Sequence, residues 1–115
     1  MSLRMDKVNK EIFRQLTRII QEEVDDPCLS FLSITRVETT RDLRECKVFF
    51  SLLNEEHLPR AVEALKKMNK FLRGSLGRAL YIKITPQLHF IPDESIKYSV
   101  DINTKIDQII NEESR

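Results

Sequence analysis

Two hydrophobic periodicities alternate along this chain, and their order limits the folds that it can adopt. From Asp6 to Val24 apolar side chains recur at helical spacing, which predicts an amphipathic helix with Asp6 as its N-cap. From Phe31 to Leu53 β-branched and aromatic residues flank the polar break TTRDLR, which predicts two strands joined in an antiparallel hairpin. The first half is therefore predicted to be helix, strand, strand.

The second half of the chain repeats this alternation. Helical spacing runs from Glu55 for roughly 25 residues, which is long for a globular helix, so we expect a kink or a break within it. The β-rich run that follows contains Pro86, which favours an edge strand or a bulge because proline cannot donate a ladder hydrogen bond. Isoleucines at helical spacing in residues 99–113 predict a terminal helix. The whole pattern predicts an α+β fold.

Length and composition are those of one folded domain, which we expect to span residues 1–115. Hydrophobic residues make up 41% and charged residues 32%, a balance that is too apolar for a disordered chain. No apolar run approaches the roughly 18 residues that cross a bilayer, and the first residues lack the apolar core of a signal peptide. We therefore expect a cytoplasmic protein that binds no membrane.

The residues that could carry chemistry are scattered. Cys28 and Cys46 are isolated thiols that we expect to be reduced. The alternation along the second strand places Cys46 on one face with Val48 and Phe50 and places Lys47, Phe49 and Ser51 on the other, so Cys46 is predicted to be a small core residue. Together with His57 and His89 the two cysteines form no metal-ligand spacing, so neither a metal site nor a cofactor is predicted. The chain contains no P-loop, nucleophile elbow or HExxH motif, and we expect that it is not an enzyme.

One segment is strongly basic, although the formal net charge of the chain is only +1. The segment from Lys66 to Lys83 contains no carboxylate, and its six cations are Lys66, Lys67, Lys70, Arg73, Arg78 and Lys83. On a helix, Lys66, Lys70 and Arg73 lie on one side, where like charges repel slightly unless an anion joins them. This asymmetry favours RNA phosphate as a partner, bound in a strongly salt-dependent way. The alternative is an ordinary solvated helix face.

Aromatic residues are few, which limits how RNA could be recognised. Those that lie in apolar patterns are predicted to be core residues, namely Phe31, Phe49, Phe50, Phe71 and Phe90. Only Tyr81 and Tyr98 are left as candidates for stacking on bases, so the sequence favours recognition of RNA shape and phosphates over a base code. Secondary basic candidates, for which a solvated surface is an equal interpretation, are Arg4, Lys7, Lys10, Arg14, Arg36, Arg41, Arg44 and Lys47.

Four stretches of the chain carry a resemblance to a known family. They are VNKEIFRQLTRIIQEEVDDP, SITRVETTRDLRECKVFFSLL, FLRGSLGRAL and TPQLHFIPDESI, and the similarity extends from about Val8 to Ile110. In this ordered set the sequence resembles bacterial ribosome-binding factor A. The resemblance implies a type II K-homology-like fold in the order α-β-β-α-α-β, with a kink between the second and third helices and with the terminal helix added here.

The resemblance also implies a function. It leads us to expect a non-enzymatic, monomeric assembly factor that binds the small (30S) ribosomal subunit and its 16S rRNA during late maturation and rRNA processing, including cold adaptation. A ribosome-associated GTPase is a further candidate partner, as the factor that releases the protein. The residues themselves leave an alternative open, in which the basic helix docks an acidic partner protein.

The sequence departs from the family at the expected kink. The family bends its helix pair at an Ala-x-Gly, and the corresponding residues here are Met68, Asn69 and Lys70. A bend would therefore depend on Asn69, which tolerates left-handed geometry, or would move to Gly74. Cys28 stands where the family commonly has an arginine, which removes one candidate RNA contact.

A Gly-x-x-Gly pattern from Gly74 to Gly77 also has two interpretations. K-homology domains use this pattern to bring the backbone close to nucleic-acid phosphates. Here Leu76 continues the apolar helical spacing, which favours glycines that permit close packing or end the helix. The sequence leaves both possibilities open.

Overall fold

Helices and strands follow one another in the order that the periodicities predict. The computed structural model describes residues 3–82 and 84–93. Its elements are helix α1 (Leu3–Glu22), strand β1 (Leu32–Thr39), strand β2 (Glu45–Leu52), helix α2 (Leu58–Leu80) and strand β3 (Gln87–Pro92). Short 3-10 helices at Pro27–Leu29 and Glu55–His57 precede β1 and α2. The α+β prediction is confirmed, while the terminal helix predicted over residues 99–113 lies outside the described residues.

Helix α1 packs through the apolar stripe that predicted it. Ile12, Leu16 and Ile19 are buried, as the three-to-four spacing of one helical face requires. The helix begins at Leu3, so Asp6 lies within its first turn and the prediction of Asp6 as N-cap was wrong. A carboxylate in the first turn still interacts favourably with the positive end of the helix dipole.

The three strands form one mixed sheet in the order β1-β2-β3. Strands β1 and β2 are antiparallel, which confirms the predicted hairpin, and β3 runs parallel to β2 at one edge. Pro86 comes immediately before β3, so its missing N–H interrupts no ladder hydrogen bond. On β2, Cys46, Val48 and Phe50 are buried while Lys47 is exposed, which confirms the predicted alternation.

Both helices cover the same face of the sheet, and the core lies between these two layers. Helix α1 contacts mainly β1, whereas α2 packs against α1 and against the edge strand β3. Leu16, Phe50, Leu65, Leu72 and Leu76 are among the fully buried side chains of this core. Burying one such side chain stabilises the fold by about 1.5–3 kcal/mol. Because these contacts hold one side of α2 against the sheet, its opposite side is left to face the solvent.

Helix α2 is continuous from Leu58 to Leu80, so the break expected within it is absent. The helix runs uninterrupted through Met68, Asn69 and Lys70. Asn69 therefore has helical backbone geometry, and its side chain connects α2 to the sheet. Its Nδ2 donates a hydrogen bond of 3.0 Å to the Leu88 carbonyl of β3. A bend of the helix axis at these three residues stays a prediction.

The Gly74 to Gly77 stretch lies inside α2, which excludes the phosphate-binding turn as its structure. Leu76 and Gly77 are buried. A Cβ atom on Gly77 would lie 2.8 Å from Thr85 Oγ1 and 3.3 Å from the Ile82 carbonyl oxygen. The second glycine therefore permits the segment before β3 to approach the helix closely, which is the packing role that the sequence left open.

Candidate nucleic-acid interface

The side of α2 that faces away from the sheet is lined with positive charge. Five exposed cations, which together we call the basic face, are Arg60, Lys66, Lys67, Lys70 and Arg78. Glu63 is the one carboxylate within α2, and its oxygen lies 3.7 Å from Lys67 Nζ. Both partners of this pair are well exposed, so it stabilises the helix by only about 0.3–0.5 kcal/mol and leaves the face strongly positive.

The structure brings together four of the six cations that the sequence singled out. Lys66, Lys67, Lys70 and Arg78 all belong to the basic face, while Lys83 lies outside the described residues. Arg73 has a different environment, since its side chain is half-buried and turned toward the segment before β3. Its participation in RNA binding stays a prediction, and the geometry of its hydrogen bonds gives it a structural role as well.

Arg73 ties α2 to the chain just ahead of β3. Its Nη2 donates a hydrogen bond of 3.0 Å to the Thr85 carbonyl, and its Nε donates one of 3.3 Å to the Pro86 carbonyl. In return, Thr85 Oγ1 donates a hydrogen bond of 3.0 Å to the Arg73 carbonyl. Together with the bond from Asn69 to Leu88, one turn earlier, these contacts fix the rotation of α2 about its axis. That rotation determines which cations face outward.

Arg60 belongs to the basic face although the sequence reasoning did not include it. It lies on the far side of Glu63 from the other cations, so a search for an uninterrupted basic segment begins after it. The helical geometry supplies the signal, because Arg60, Lys67 and Arg78 fall within a narrow angular range at 100° per residue. An angular plot of the segment would have found it.

A second set of contacts holds Arg78 at the C-terminal end of the basic face. Its Nη2 donates a hydrogen bond of 3.1 Å to Ser75 Oγ, and Ser75 in turn donates one of 3.3 Å to the Glu23 carboxylate after α1. Glu23 also accepts from Arg18, at 3.3 Å. This chain of polar groups links the ends of the two helices and orients the last cation of the basic face.

This chain and its fold have known relatives. The family model described as ribosome-binding factor A matches residues 4–106. The chain belongs to the ribosome-binding factor A family. A ribosome-binding factor A from Dechloromonas aromatica is 40% identical over 105 residues, which cover 91% of this chain and 85% of that protein. One from Acetivibrio thermocellus is 39% identical over 113 residues, covering 96% of this chain and 89% of the relative. The resemblance seen in the sequence is confirmed.

Solved structures of ribosome-binding factor A share the fold. The crystal structure of the factor from Thermus thermophilus superposes with a TM-score of 0.69 at 26% identity, covering 76% of this chain and 94% of that one. A homology model of the Thermus thermophilus factor was fitted into a cryo-EM map of its complex with the 30S subunit. It matches with a TM-score of 0.65 at 27% identity, covering 75% of this chain and 91% of that one.

The environments of the aromatic residues in this chain differ in part from those expected. Phe50 is buried in the core as predicted, but Phe31 and Phe71 are 68% and 42% exposed, so their assignment to the core was wrong. Tyr81, at the end of α2, is 95% exposed, as a residue available for stacking must be. Tyr98, the other stacking candidate, lies outside the described residues. Alternating or helical spacing identifies a face, but residues at its border can turn either way.

The two remaining core predictions among the aromatic residues are met only in part. Phe90 is half-buried and packs against the core from β3. Phe49 is half-buried on the opposite face of the sheet, where the guanidinium carbon of Arg36 lies 4.0 Å from its ring centroid. Arg36, one of the secondary basic candidates, therefore makes an intramolecular cation–π contact.

The other secondary basic candidates are distributed over α1 and the hairpin. All eight are exposed, and none belongs to the basic face. They are Arg4, Lys7, Lys10, Arg14, Arg36, Arg41, Arg44 and Lys47. Some are engaged with nearby carboxylates, since Arg14 lies 3.7 Å from Glu11 and Arg44 lies 3.9 Å from Asp42. Helix α1 has five cations and three carboxylates, whereas α2 has six cations and one carboxylate, so α2 has the larger excess of positive charge.

Two of the reactive side chains singled out in the sequence, Cys46 and His89, have contacts within the fold. Burial raises the pKa of the Cys46 thiol above its usual value of 9.0, although a hydrogen bond with Thr39 acts in the opposite direction, so Cys46 is a protonated core residue at neutral pH. His89 contacts Glu45 on the exposed face of the sheet. Within residues 3–82 and 84–93 there is no group of three or more potential metal ligands. No helix in these ranges is long and apolar enough to span a membrane.

Proposed function

We propose that this protein is a non-enzymatic assembly factor that binds the 16S rRNA of the small (30S) ribosomal subunit through the basic face of α2. It acts in late maturation and rRNA processing, including growth in the cold, as a monomer in the cytoplasm. The observation that carries this proposal is the concentration of five exposed cations on a helix whose rotation is fixed by the Arg73 and Asn69 contacts. Support also comes from the Thermus thermophilus factor of the same fold, which was placed in a 30S complex.

The physical basis of binding is electrostatic. Cations on a fixed helix face can follow an RNA backbone, and neutralising phosphates releases the counterions that had condensed on them. Such contacts position a protein on RNA without reading its sequence, so the overall shape of the rRNA determines where the factor binds. The basic face has the exposure that this interaction requires, and its one carboxylate is already paired with Lys67.

The mechanism that follows is a shift of population among rRNA conformations. A protein that binds one conformation more tightly than another favours it by its differential affinity, and neither a nucleotide nor a metal cofactor is needed. Release then requires a change in the rRNA or a competing factor, for which a ribosome-associated GTPase is our candidate. The three-strand sheet with two helices on one face is the scaffold that we assign to the type II K-homology-like class.

The test is a charge reversal on the basic face measured with purified small subunits. The variant Lys66→Glu/Lys70→Glu changes two exposed side chains, so folding should be retained and can be verified by circular dichroism. We expect co-sedimentation with 30S subunits to fall by at least about tenfold at low salt. Arg73 is left unchanged in this variant because its loss would alter the fold.

A matched control is available on α1. Lys10→Glu/Arg14→Glu has the same spacing and the same change in charge, also at exposed positions. We expect it to bind within about twofold of the original protein, apart from a general electrostatic effect. If the α1 variant loses binding and the α2 variant retains it, the site assignment is wrong. If the original protein binds no small subunits but does bind an acidic protein, the docking alternative replaces the proposal.

A further inference from the structure

Two exposed aromatic residues share one helical row with the cations of α2. Phe71, Gly74, Arg78 and Tyr81 are separated by three, four and three residues, which places them along the same side of the helix and its C-terminal end. We call these four residues the aromatic row. It lies beside Lys67 and Lys70 of the basic face. Each of its two aromatic residues and its glycine departs from what local stability alone would favour.

The first departure is the exposure of Phe71. The residue is 42% exposed in the middle of α2, although the next residue, Leu72, is fully buried. A phenylalanine is a weak helix former, and at this exposure it gains only part of the hydrophobic benefit that would compensate for it. Its neighbours on the solvent side are charged side chains of the basic face. An apolar ring among exposed cations is a suitable surface for the face of a nucleic-acid base.

The second departure is Gly74, one turn further along the row. Glycine is the poorest helix former after proline, so a glycine within a helix calls for a structural reason. Packing among the described residues does not require a glycine here, since the nearest atom to an added Cβ is Arg78 Nη1, at 3.4 Å, which is an ordinary van der Waals distance. Gly77 provides the contrast, with an atom only 2.8 Å away. The missing side chain at Gly74 leaves room beside the Arg78 guanidinium for a bound molecule to approach the helix.

The third departure is Tyr81, which follows the last residue of α2. Its backbone is left-handed, with φ 57° and ψ 40°, at a position where glycine is strongly preferred because a Cβ atom is strained there. The backbone hydrogen bond that closes the helix end here, from the Ile82 N–H to the Gly77 carbonyl at 3.0 Å, would form with any residue at position 81. The tyrosine side chain is 95% exposed and adds no packing among the described residues, and strained residues of this kind cluster at functional sites.

We infer that a short single-stranded stretch of RNA lies along the aromatic row, with one base stacked on Phe71 and another on Tyr81. At the helical rise, the backbone positions of Phe71 and Tyr81 are separated by about 15 Å along the axis, a distance that a few unstacked nucleotides can cover. The backbone passes over Gly74, and its phosphates meet Arg78 and Lys70. This rests on the proposed function and adds base stacking to phosphate binding, so that the factor selects unpaired over paired rRNA.

Single-stranded RNA suits this row better than a duplex. Stacking on an aromatic side chain requires a base whose face is free, and the bases of a duplex are already stacked on one another. Cations alone would serve either form, because both carry phosphates. The alternation of aromatic and basic residues is therefore what distinguishes the two ligands. A preference of the protein for single strands should be lost when the rings are removed and the charges are kept.

The experiment compares two probes by fluorescence anisotropy at low salt, a labelled short oligoadenosine and the duplex that it forms with oligouridine. We expect tighter binding of the single strand, and the variant Phe71→Leu/Tyr81→Leu should weaken it by about tenfold or more while duplex binding changes less than about twofold. Phe31→Leu is the matched control, because it removes an exposed aromatic ring outside α2 and should leave both affinities unchanged. Equal affinity of the original protein for both probes, or no effect of the double variant, overturns the inference.

Gly74→Ala tests the inference independently, because it should change thermal stability and RNA affinity in opposite directions. It should raise the melting temperature, because alanine is the better helix former, and it should weaken oligoadenosine binding about fivefold by blocking the close approach of the backbone. Unchanged or tighter binding with a raised melting temperature contradicts the placement of RNA over Gly74. Sedimentation of the original protein with 30S subunits keeps the two hypotheses apart. Subunit binding without single-strand preference overturns only the inference, whereas absent subunit binding overturns the proposed function.

Discussion

Replacing Arg73 should destabilise the fold far more than replacing its neighbour Lys70, although both are cations on the same helix. Arg73→Ala removes the two hydrogen bonds that its guanidinium donates to the carbonyls of Thr85 and Pro86, at 3.0 and 3.3 Å. Hydrogen bonds with a charged donor contribute about 1.5–3 kcal/mol each. Because the side chain is only half-buried, the lower end applies, and the expected loss is about 2–3 kcal/mol.

Urea unfolding followed by far-UV circular dichroism measures this loss. With a slope of about 1.5 kcal/mol/M, the midpoint should fall by roughly 1.3–2 M. Lys70→Ala is the control and should change the free energy of unfolding by less than about 0.5 kcal/mol, since its side chain is exposed. Arg73→Lys should recover only part of the stability, because one ammonium group lacks the fork that reaches both carbonyls. Equal stabilities of Arg73→Ala and Lys70→Ala would refute the structural role of Arg73.

Two further predictions concern Gly77 and Cys46. Gly77→Ala should lower the free energy of unfolding by about 1–3 kcal/mol, because its Cβ would lie 2.8 Å from Thr85 Oγ1, and an unchanged urea midpoint would contradict the close packing there. Burial raises the pKa of the Cys46 thiol, so the stability that it contributes is complete below the unfolded value of 9.0 and is lost as the pH rises above it. Urea midpoints between pH 8 and 10 should therefore fall less steeply in Cys46→Ala than in the original protein, with Cys28→Ala keeping the original slope. If the urea midpoint of Cys46→Ala fell with pH as steeply as that of the original protein, the thiol would have the same pKa in the folded and unfolded states.

Periodicity predicted the elements of this fold because each repeats a local rule many times. The buried stripe of α1 and the alternation of Cys46, Val48 and Phe50 on β2 follow from side-chain direction alone. The order of elements and the antiparallel hairpin could therefore be obtained from the sequence. Asp6 was misplaced as a cap because the helix extends further toward the N-terminus than its apolar pattern does.

The candidate site was only partly predictable, because its details depend on contacts between distant residues. The spacing of Lys66, Lys70 and Arg73 is that of one helical side. The segment before β3 packs against part of that side, and its carbonyl groups accept hydrogen bonds from the Arg73 guanidinium. Spacing alone cannot show where another segment will pack. Phe71 lies at the border between the buried and exposed sides of α2, so its apolar character gave no decisive signal. The left-handed backbone of Tyr81 has no sequence marker, since glycine would be expected there.

The central claim is that the basic face of α2 binds rRNA phosphates, and the salt dependence of 30S binding tests it most directly. Affinity of the original protein and of Lys70→Ala would be measured over a series of potassium chloride concentrations. We predict that the logarithm of the affinity falls linearly with the logarithm of the salt concentration, and that Lys70→Ala reduces this slope by about one. Binding that does not depend on salt, or an identical slope in Lys70→Ala, would contradict the account.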